Sequence, residues 1–78
     1  MVATATTFLI SDTIFNFVPG IDYLGLMNGL AFEQLTITQG TNTNAKNTLI
    51  ANQGTGELLA TLIGVEANTL NMWDFSVL

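Results

Sequence analysis

The chain has 78 residues, of which six are acidic and one, Lys46, is basic, so its net charge is −5. Charged residues make up 9% of the sequence, against about 25% in an ordinary globular domain. A single cation forms no basic patch, which makes nucleic acid and anionic membrane surfaces poor partners. Cysteine and histidine are absent, which excludes disulfides, thiolate metal sites and histidine-based catalysis.

A domain this small needs a further source of stability, such as a hard cation bound by oxygen ligands or additional copies of the protein. The apolar content of 49% is too high for a disordered chain. The longest apolar run, residues 58–65, is far short of the roughly 18 residues that a membrane-spanning helix needs. We therefore expect no transmembrane segment.

The first half of the chain reads as short strands separated by turns. Residues 1–7 are small and tolerant of β structure, and we expect a tail or an edge strand there. Residues 8–78 are expected to form a single all-β domain. Its first strand covers residues 8–18 and ends at Pro19-Gly20, a strong type II turn signal. Asp12 interrupts the apolar alternation of this segment, and a turn or bend at Ser11-Asp12 is the alternative to a cation-ligand role for Asp12. A short strand over residues 22–26 follows.

The second half predicts a hairpin and a central strand. Residues 31–35 fit a single helical turn, too short to stand alone. Residues 36–39 and 48–51 are expected to pair across a long polar loop. Residues 57–65 are apolar on both faces, which indicates either a central strand or one covered by a partner chain.

Together these elements predict a small β-roll or sandwich-like terminal domain of about five short strands, with at most single helical turns. Six large apolar side chains are expected in its core or at an interface: Phe15, Phe17, Leu59, Ile63, Trp73 and Phe75. The acidic residues Glu33, Glu57 and Glu66 are scattered, and no spacing brings two of them together as an acid–base pair. We therefore expect no enzymatic activity.

Residues 12–26, DTIFNFVPGIDYLGL, carry a family resemblance. They resemble the D-x-I-x-D-F-x-P-G-x-D-x-I-x-L segment that follows the Gly-rich repeats in hemolysin-type (RTX) calcium-binding proteins. Residues 29–40, 47–50 and 56–65 are similar to later parts of that segment, especially in cyanobacterial members. The family's closing V-x-A-x-x-L-x-x-x-D-F pattern is matched by Val65, Ala67, Leu70, Asp74 and Phe75. The resemblance spans roughly residues 8–78.

This resemblance implies a β-roll terminal region of an extracellular, secreted protein. Such proteins typically leave the cell through a type I exporter, which reads an uncleaved C-terminal signal. Residues 74–78, DFSVL, are similar to such endings. The start of the chain lacks a basic region followed by a long apolar stretch, so we expect no N-terminal signal peptide.

Calcium is the one cofactor that the sequence suggests, with Asp12, Asn16 and Asp22 as its candidate ligands. Two departures from the family weaken the site. The Gly-rich calcium-binding repeats are absent, and Asn16 stands where the family has Asp, which keeps an oxygen but loses a charge. The alternative is that Asp12 and Asp22 form hydrogen bonds with the backbone of local turns.

Two functional hypotheses follow. The favoured one is a non-enzymatic structural module whose copies associate into a homo-oligomer or a filament, because a roll terminus without its repeats exposes an edge or an end face. The alternative is a calcium-responsive binding or secretion module of a larger extracellular protein.

Overall fold

The computed structural model describes residues 7–10, 13–27 and 29–77. These residues form short strands joined by turns, four of which are single turns of 3₁₀ helix. The strands are β1 (Thr7–Leu9), β2 (Thr13–Ile14), β3 (Tyr23–Leu26), β4 (Leu35–Gln39), β5 (Thr48–Asn52), β6 (Leu58–Leu62) and β7 (Phe75–Val77). The 3₁₀ turns are Phe32–Gln34, Asn42–Asn44, Ala67–Thr69 and Met72–Asp74. The protein is therefore a small all-β domain, as the sequence predicts.

The strands form two sheets, between which the chain alternates. The first sheet has the order β1-β3-β7, and the second has the order β2-β6-β5-β4. The chain passes from β1 in the first sheet to β2 in the second and returns to β3 in the first. It later passes from β6 in the second sheet to β7 in the first. Every pairing in the first sheet is parallel, and so is β2 with β6. This winding is that of a roll, with the antiparallel strands β4 and β5 added to the second sheet.

The predicted strand over residues 8–18 is wrong as a single element. Its residues are divided between β1 and β2, which belong to different sheets, and Ser11 and Asp12 between them lie outside the described residues. The predicted tail or edge strand over residues 1–7 also falls mostly outside them. Its last residue, Thr7, begins β1 and pairs in parallel with Tyr23.

The predicted Pro-Gly turn is confirmed. The N–H of Ile21 donates to the carbonyl of Val18 at 3.1 Å, and Gly20 has φ = +85°. A type II turn requires this positive φ at its third residue, and proline at the second residue presets the conformation. The turn lies between β2 and β3 and brings the chain back to the first sheet.

The predicted hairpin is also confirmed, since β4 and β5 pair in antiparallel register from Leu35↔Asn52 to Gln39↔Thr48. Strand β6 lies between β2 and β5, so the apolar segment is central, one of the two predicted alternatives. Its register with β5 shifts so that Ala51 pairs with Leu58 and Ile50 with Ala60. Leu59 is the extra residue of this β-bulge, a feature that bends a strand locally.

The core is a cluster of buried side chains from both sheets and the loops beside them: Ile14, Phe17, Leu24, Ile50, Ala60, Leu62 and Val65. Burial of each large aliphatic or aromatic side chain in such a cluster contributes about 1.5–3 kcal/mol. Thr48 is the buried polar group of β5, and its hydroxyl donates to the carbonyl of Val65 at 2.6 Å. This buried hydrogen bond therefore joins β5 directly to the loop after β6.

The six residues predicted for the core or an interface have three different outcomes. Phe17 is in the core, and Phe75 is half-buried against the core and 5.0 Å from the ring of Phe32. Leu59 and Ile63 are half-buried. Phe15 and Trp73 are 57% and 76% exposed, so the core interpretation is wrong for both.

A local backbone conformation explains the position of Phe15. Asn16 has φ = +65°, a left-handed conformation that asparagine tolerates better than most residues. This conformation breaks the strand alternation, in which Phe15 and Phe17 would share one face. Phe17 consequently lies in the core while Phe15 faces solvent.

Across the described residues, none of the helical segments is long and apolar enough to cross a membrane.

Candidate functional site

The Pro-Gly loop is held by two buried carboxylates. Asp22 is 6% exposed, and its Oδ2 accepts a hydrogen bond from the N–H of Val18 at 3.0 Å. The N–H of Asp22 in turn donates to the carbonyl of Val18 at 2.9 Å. Asp74 is 4% exposed, and its Oδ1 accepts from the N–H of Gly20 at 2.9 Å. The two aspartates thus fix both the base and the tip of the loop.

Asp74 also orders the segment that contains Trp73. Its Oδ2 accepts from the N–H of Asn71 at 3.0 Å, and the Asn71 side chain accepts from the N–H of Trp73 at 2.8 Å. These reciprocal bonds form a capping box on the 3₁₀ turn Met72–Asp74. Hydrogen bonds to a charged acceptor contribute about 1.5–3 kcal/mol each, so the turn is firmly connected to the Pro-Gly loop.

Exposed apolar side chains lie on the Pro-Gly loop and on the 3₁₀ turn Met72–Asp74 that Asp74 joins to it. The strands of the first sheet run in the same direction, so the residues just before and at the start of β3 and β7 lie at the same end of that sheet. Tyr23 begins β3, and the turn Met72–Asp74 packs against β3 just before β7 begins. We call this set the apolar end surface: Val18, Ile21, Tyr23, Met72 and Trp73. Its members are between 40% and 76% exposed.

A groove lies at the opposite end of the same sheet. Its lining includes Ile10 and Met27, which follow β1 and β3 directly, together with Leu30 and the bulged residue Leu59. We call it the end groove; its volume is about 500 Å³. Its remaining lining residues are Gly29, Gln34, Asn52 and Glu57.

A second groove, of about 660 Å³, is lined by Lys46, Glu66 and Asn68 and lies beside Gln39. The side-chain amide of Gln39 forms hydrogen bonds there that hold two loops together. Its Oε1 accepts from the N–H of Ala67 at 2.8 Å, and its Nε2 donates to the carbonyls of Ala45 and Asn47. The amide therefore joins the polar loop of the hairpin to the segment after β6.

The structure describes two of the three predicted calcium ligands. Asp12 lies outside the described residues, Asn16 is exposed, and Asp22 is buried. Asp22 makes the local turn bond that was the alternative to a ligand role. Among the described residues, no three acidic side chains lie together as a metal-binding group. A calcium site formed with Asp12 stays a prediction.

Sequence reasoning did not identify the structural role of Asp74. The spacing Asn71-x-x-Asp74 is the available signal, since it matches a reciprocal cap on a short turn. Nothing local to that segment indicates that the other carboxylate oxygen binds Gly20, because this contact depends on how β3 pairs with β7.

In comparisons with known proteins, no family model matches the sequence, and neither a curated protein nor a solved structure matches the chain.

Proposed function

We propose that this chain is a non-enzymatic structural β module whose copies associate with one another through the apolar end surface. The observation that supports this proposal is the exposure of Trp73, which is 76% accessible and has four further exposed apolar residues at the same end of the sheet. Soluble monomers rarely expose contiguous apolar patches beyond a few hundred Å². Such a patch is a feature of interaction surfaces.

The rigidity of this surface favours association. The Asp74 carboxylate connects the 3₁₀ turn that presents Trp73 to the loop that presents Val18 and Ile21. Side chains on a preordered backbone lose less conformational entropy on binding, which leaves more of the apolar contact energy for affinity. The arrangement is therefore suited to a specific contact.

The charge distribution also favours association between copies. The five residues of the apolar end surface are uncharged, and the two carboxylates beside them are buried and hydrogen-bonded to backbone N–H groups. With a net charge of −5, two copies repel each other at long range, and this repulsion is screened within about 8 Å at physiological ionic strength. Association is then expected to strengthen as salt is added.

Sedimentation velocity from 1 to 200 µM protein, at low and at physiological salt, tests this proposal. We expect a weight-average mass that rises with protein concentration and with salt. A monomer at every concentration would rule out self-association. The resemblance to RTX proteins supports an extracellular, secreted setting for the assembly.

The alternative proposal is a calcium-responsive binding or secretion module of a larger extracellular protein. It is supported by the resemblance of residues 12–26 to the RTX segment, with Asp12, Asn16 and Asp22 as the ligands that the resemblance implies. A calcium ion bound only by the native fold would raise its stability. Melting in calcium and in chelator therefore separates the two proposals.

A further inference from the structure

We infer that the apolar end surface of one copy binds the end groove of the next copy, so that copies join head to tail. This inference rests on the proposed function and names the two surfaces that meet. It specifies the partner as a second copy of this chain and the contact as one between two different surfaces.

The positions of the two surfaces are suited to such a contact. They lie at opposite ends of the same parallel sheet, with the apolar end surface where β3 begins and the end groove where β1 and β3 end. A four-residue strand such as β3 is about 13 Å long. Simple displacement of a copy along the strand direction thus brings one surface towards the other.

The chemistry of the two surfaces is complementary. The end groove has apolar walls at Ile10, Met27 and Leu30, and its volume of about 500 Å³ is within the range that accommodates ligand-sized groups. An aromatic side chain buries roughly 150–250 Å² when it enters such a site. Trp73, the most exposed of the large apolar residues described, is the group that gains most from this burial.

The indole N–H favours the groove over a like-to-like contact. When an indole is buried its N–H needs an acceptor. Glu57, an exposed residue that lines the end groove, carries a carboxylate that can accept this hydrogen bond. On the apolar end surface itself, both oxygens of Asp74 already accept backbone hydrogen bonds. In a like-to-like contact, two apolar end surfaces would face each other, and the apolar walls of both end grooves would stay exposed to solvent.

A contact between two different surfaces has a consequence for assembly. Each copy that binds through its apolar end surface still has a free end groove, so association continues into an open chain or closes into a ring. A stable interface needs roughly 800 Å² from each partner. Two aromatic residues, Tyr23 and Trp73, with three aliphatic neighbours supply much of this area.

A mixing experiment tests the inference. Trp73→Ser removes the most exposed member of the apolar end surface and keeps the groove, whereas Met27→Glu adds charge to the groove and keeps the surface. We expect each variant alone to sediment mainly as a monomer at concentrations where the unmodified protein forms larger species. An equimolar mixture should form a one-to-one heterodimer, because it restores one intact contact and no more.

Controls keep the result interpretable. Thr38→Glu adds the same charge at an exposed position of β4 and should assemble like the unmodified protein. Circular dichroism melting must show that each variant folds, and Ile21→Ser with Leu30→Glu provides a second pair. If Met27→Glu alone still forms dimers that Trp73→Ser cannot form, the contact is like-to-like and the inference is overturned.

The remaining outcomes separate this inference from the proposed function. If both variants assemble like the unmodified protein, or if their mixture stays monomeric, the head-to-tail contact is wrong although self-association stands. If the unmodified protein is a monomer throughout, the proposed function fails and this inference fails with it.

Discussion

The carboxylate of Asp74 accepts a hydrogen bond from the backbone N–H of Gly20 at 2.9 Å, across 54 positions of sequence. This bond joins the turn that precedes β3 to the turn that precedes β7, two parallel neighbours in the first sheet. The same carboxylate caps the 3₁₀ turn through Asn71. One side chain therefore determines how the exposed residues of both turns are presented.

Replacement of Asp74 should lower the stability of the whole domain. Asp74→Ala removes the acceptor of two part-buried hydrogen bonds, from the N–H groups of Gly20 and Asn71, and hydrogen bonds to a charged group contribute about 1.5–3 kcal/mol each. We expect a loss of about 3 kcal/mol in the free energy of unfolding, measured by urea denaturation. Asp74→Asn retains one acceptor oxygen and should lose less. Glu66→Ala, at an exposed residue, is the matched control, and equal losses in both alanine variants would contradict the role of Asp74.

The Pro-Gly turn provides a test of backbone conformation alone. Gly20 has φ = +85° and no atom within 4 Å of the position that a Cβ would take. Gly20→Ala should therefore be destabilised by about 1–2 kcal/mol through the left-handed backbone. Gly54→Ala is the control, since Gly54 lacks a positive φ and its nearest contact would be 3.4 Å from Asn52. A neutral Gly20→Ala in the same urea series would mean that the turn relaxes to another conformation.

Two neighbouring phenylalanines should respond oppositely to truncation. Phe17 is 4% exposed in the core and Phe15 is 57% exposed. We expect Phe17→Ala to lose about 3–5 kcal/mol and Phe15→Ala to change the free energy of unfolding by no more than about 0.5 kcal/mol. Chemical denaturation of both variants measures this difference. Similar losses would show that the left-handed conformation at Asn16 is not retained in solution.

Self-association should be visible in the fluorescence of the single tryptophan. Trp73 is 76% exposed in the isolated chain and is the only tryptophan in the sequence. Emission should shift to shorter wavelength, and quenching by acrylamide should weaken, as protein concentration rises. Leu58→Ser, which removes an exposed apolar residue from the second sheet, should preserve both changes. Emission that is independent of concentration would place Trp73 outside any interface.

Calcium should leave both the melting temperature and the assembly unchanged if the structural proposal is correct. Under the alternative, calcium at 100 times its dissociation constant would stabilise the fold by about 2.7 kcal/mol. For a domain of this size that corresponds to a rise in melting temperature of roughly 10–20 °C. Scanning calorimetry in 5 mM calcium, 5 mM magnesium and chelator makes the comparison. A rise with calcium alone would favour the calcium-responsive module.

The sequence predicts the local elements of this fold well. The Pro-Gly turn, the β4–β5 hairpin and the helical turn near Phe32 all depend on residues close together in sequence. Asp12 gave a local signal for a turn or bend at Ser11-Asp12, but the assignment of β1 and β2 to different sheets was not predictable in this way. It depends on β1 and β2 pairing with β3 and β6, which no local pattern of apolar residues specifies.

The candidate site was harder to predict for a related reason. The apolar character of Trp73 and Phe15 suggested the core or an interface. The core is excluded because Trp73 lies on an exposed 3₁₀ turn and Phe15 precedes a left-handed asparagine. Neither conformation can be recognised from the periodicity of apolar residues. The carboxylate of Asp22 was predictable as a turn-former, whereas the contact between Asp74 and Gly20 required the pairing of distant strands.

The alternating path of the chain between the two sheets also determines the order in which the fold can form. Strands β4, β5 and β6 follow one another in the sequence and pair as antiparallel neighbours, so they can form early at a small loop-closure cost. The parallel pairs β2–β6 and β3–β7 join segments that are far apart in sequence. Such non-local pairings slow folding. We therefore expect the second sheet to nucleate at its hairpin, and the first sheet and the apolar end surface to be completed only when β7 docks.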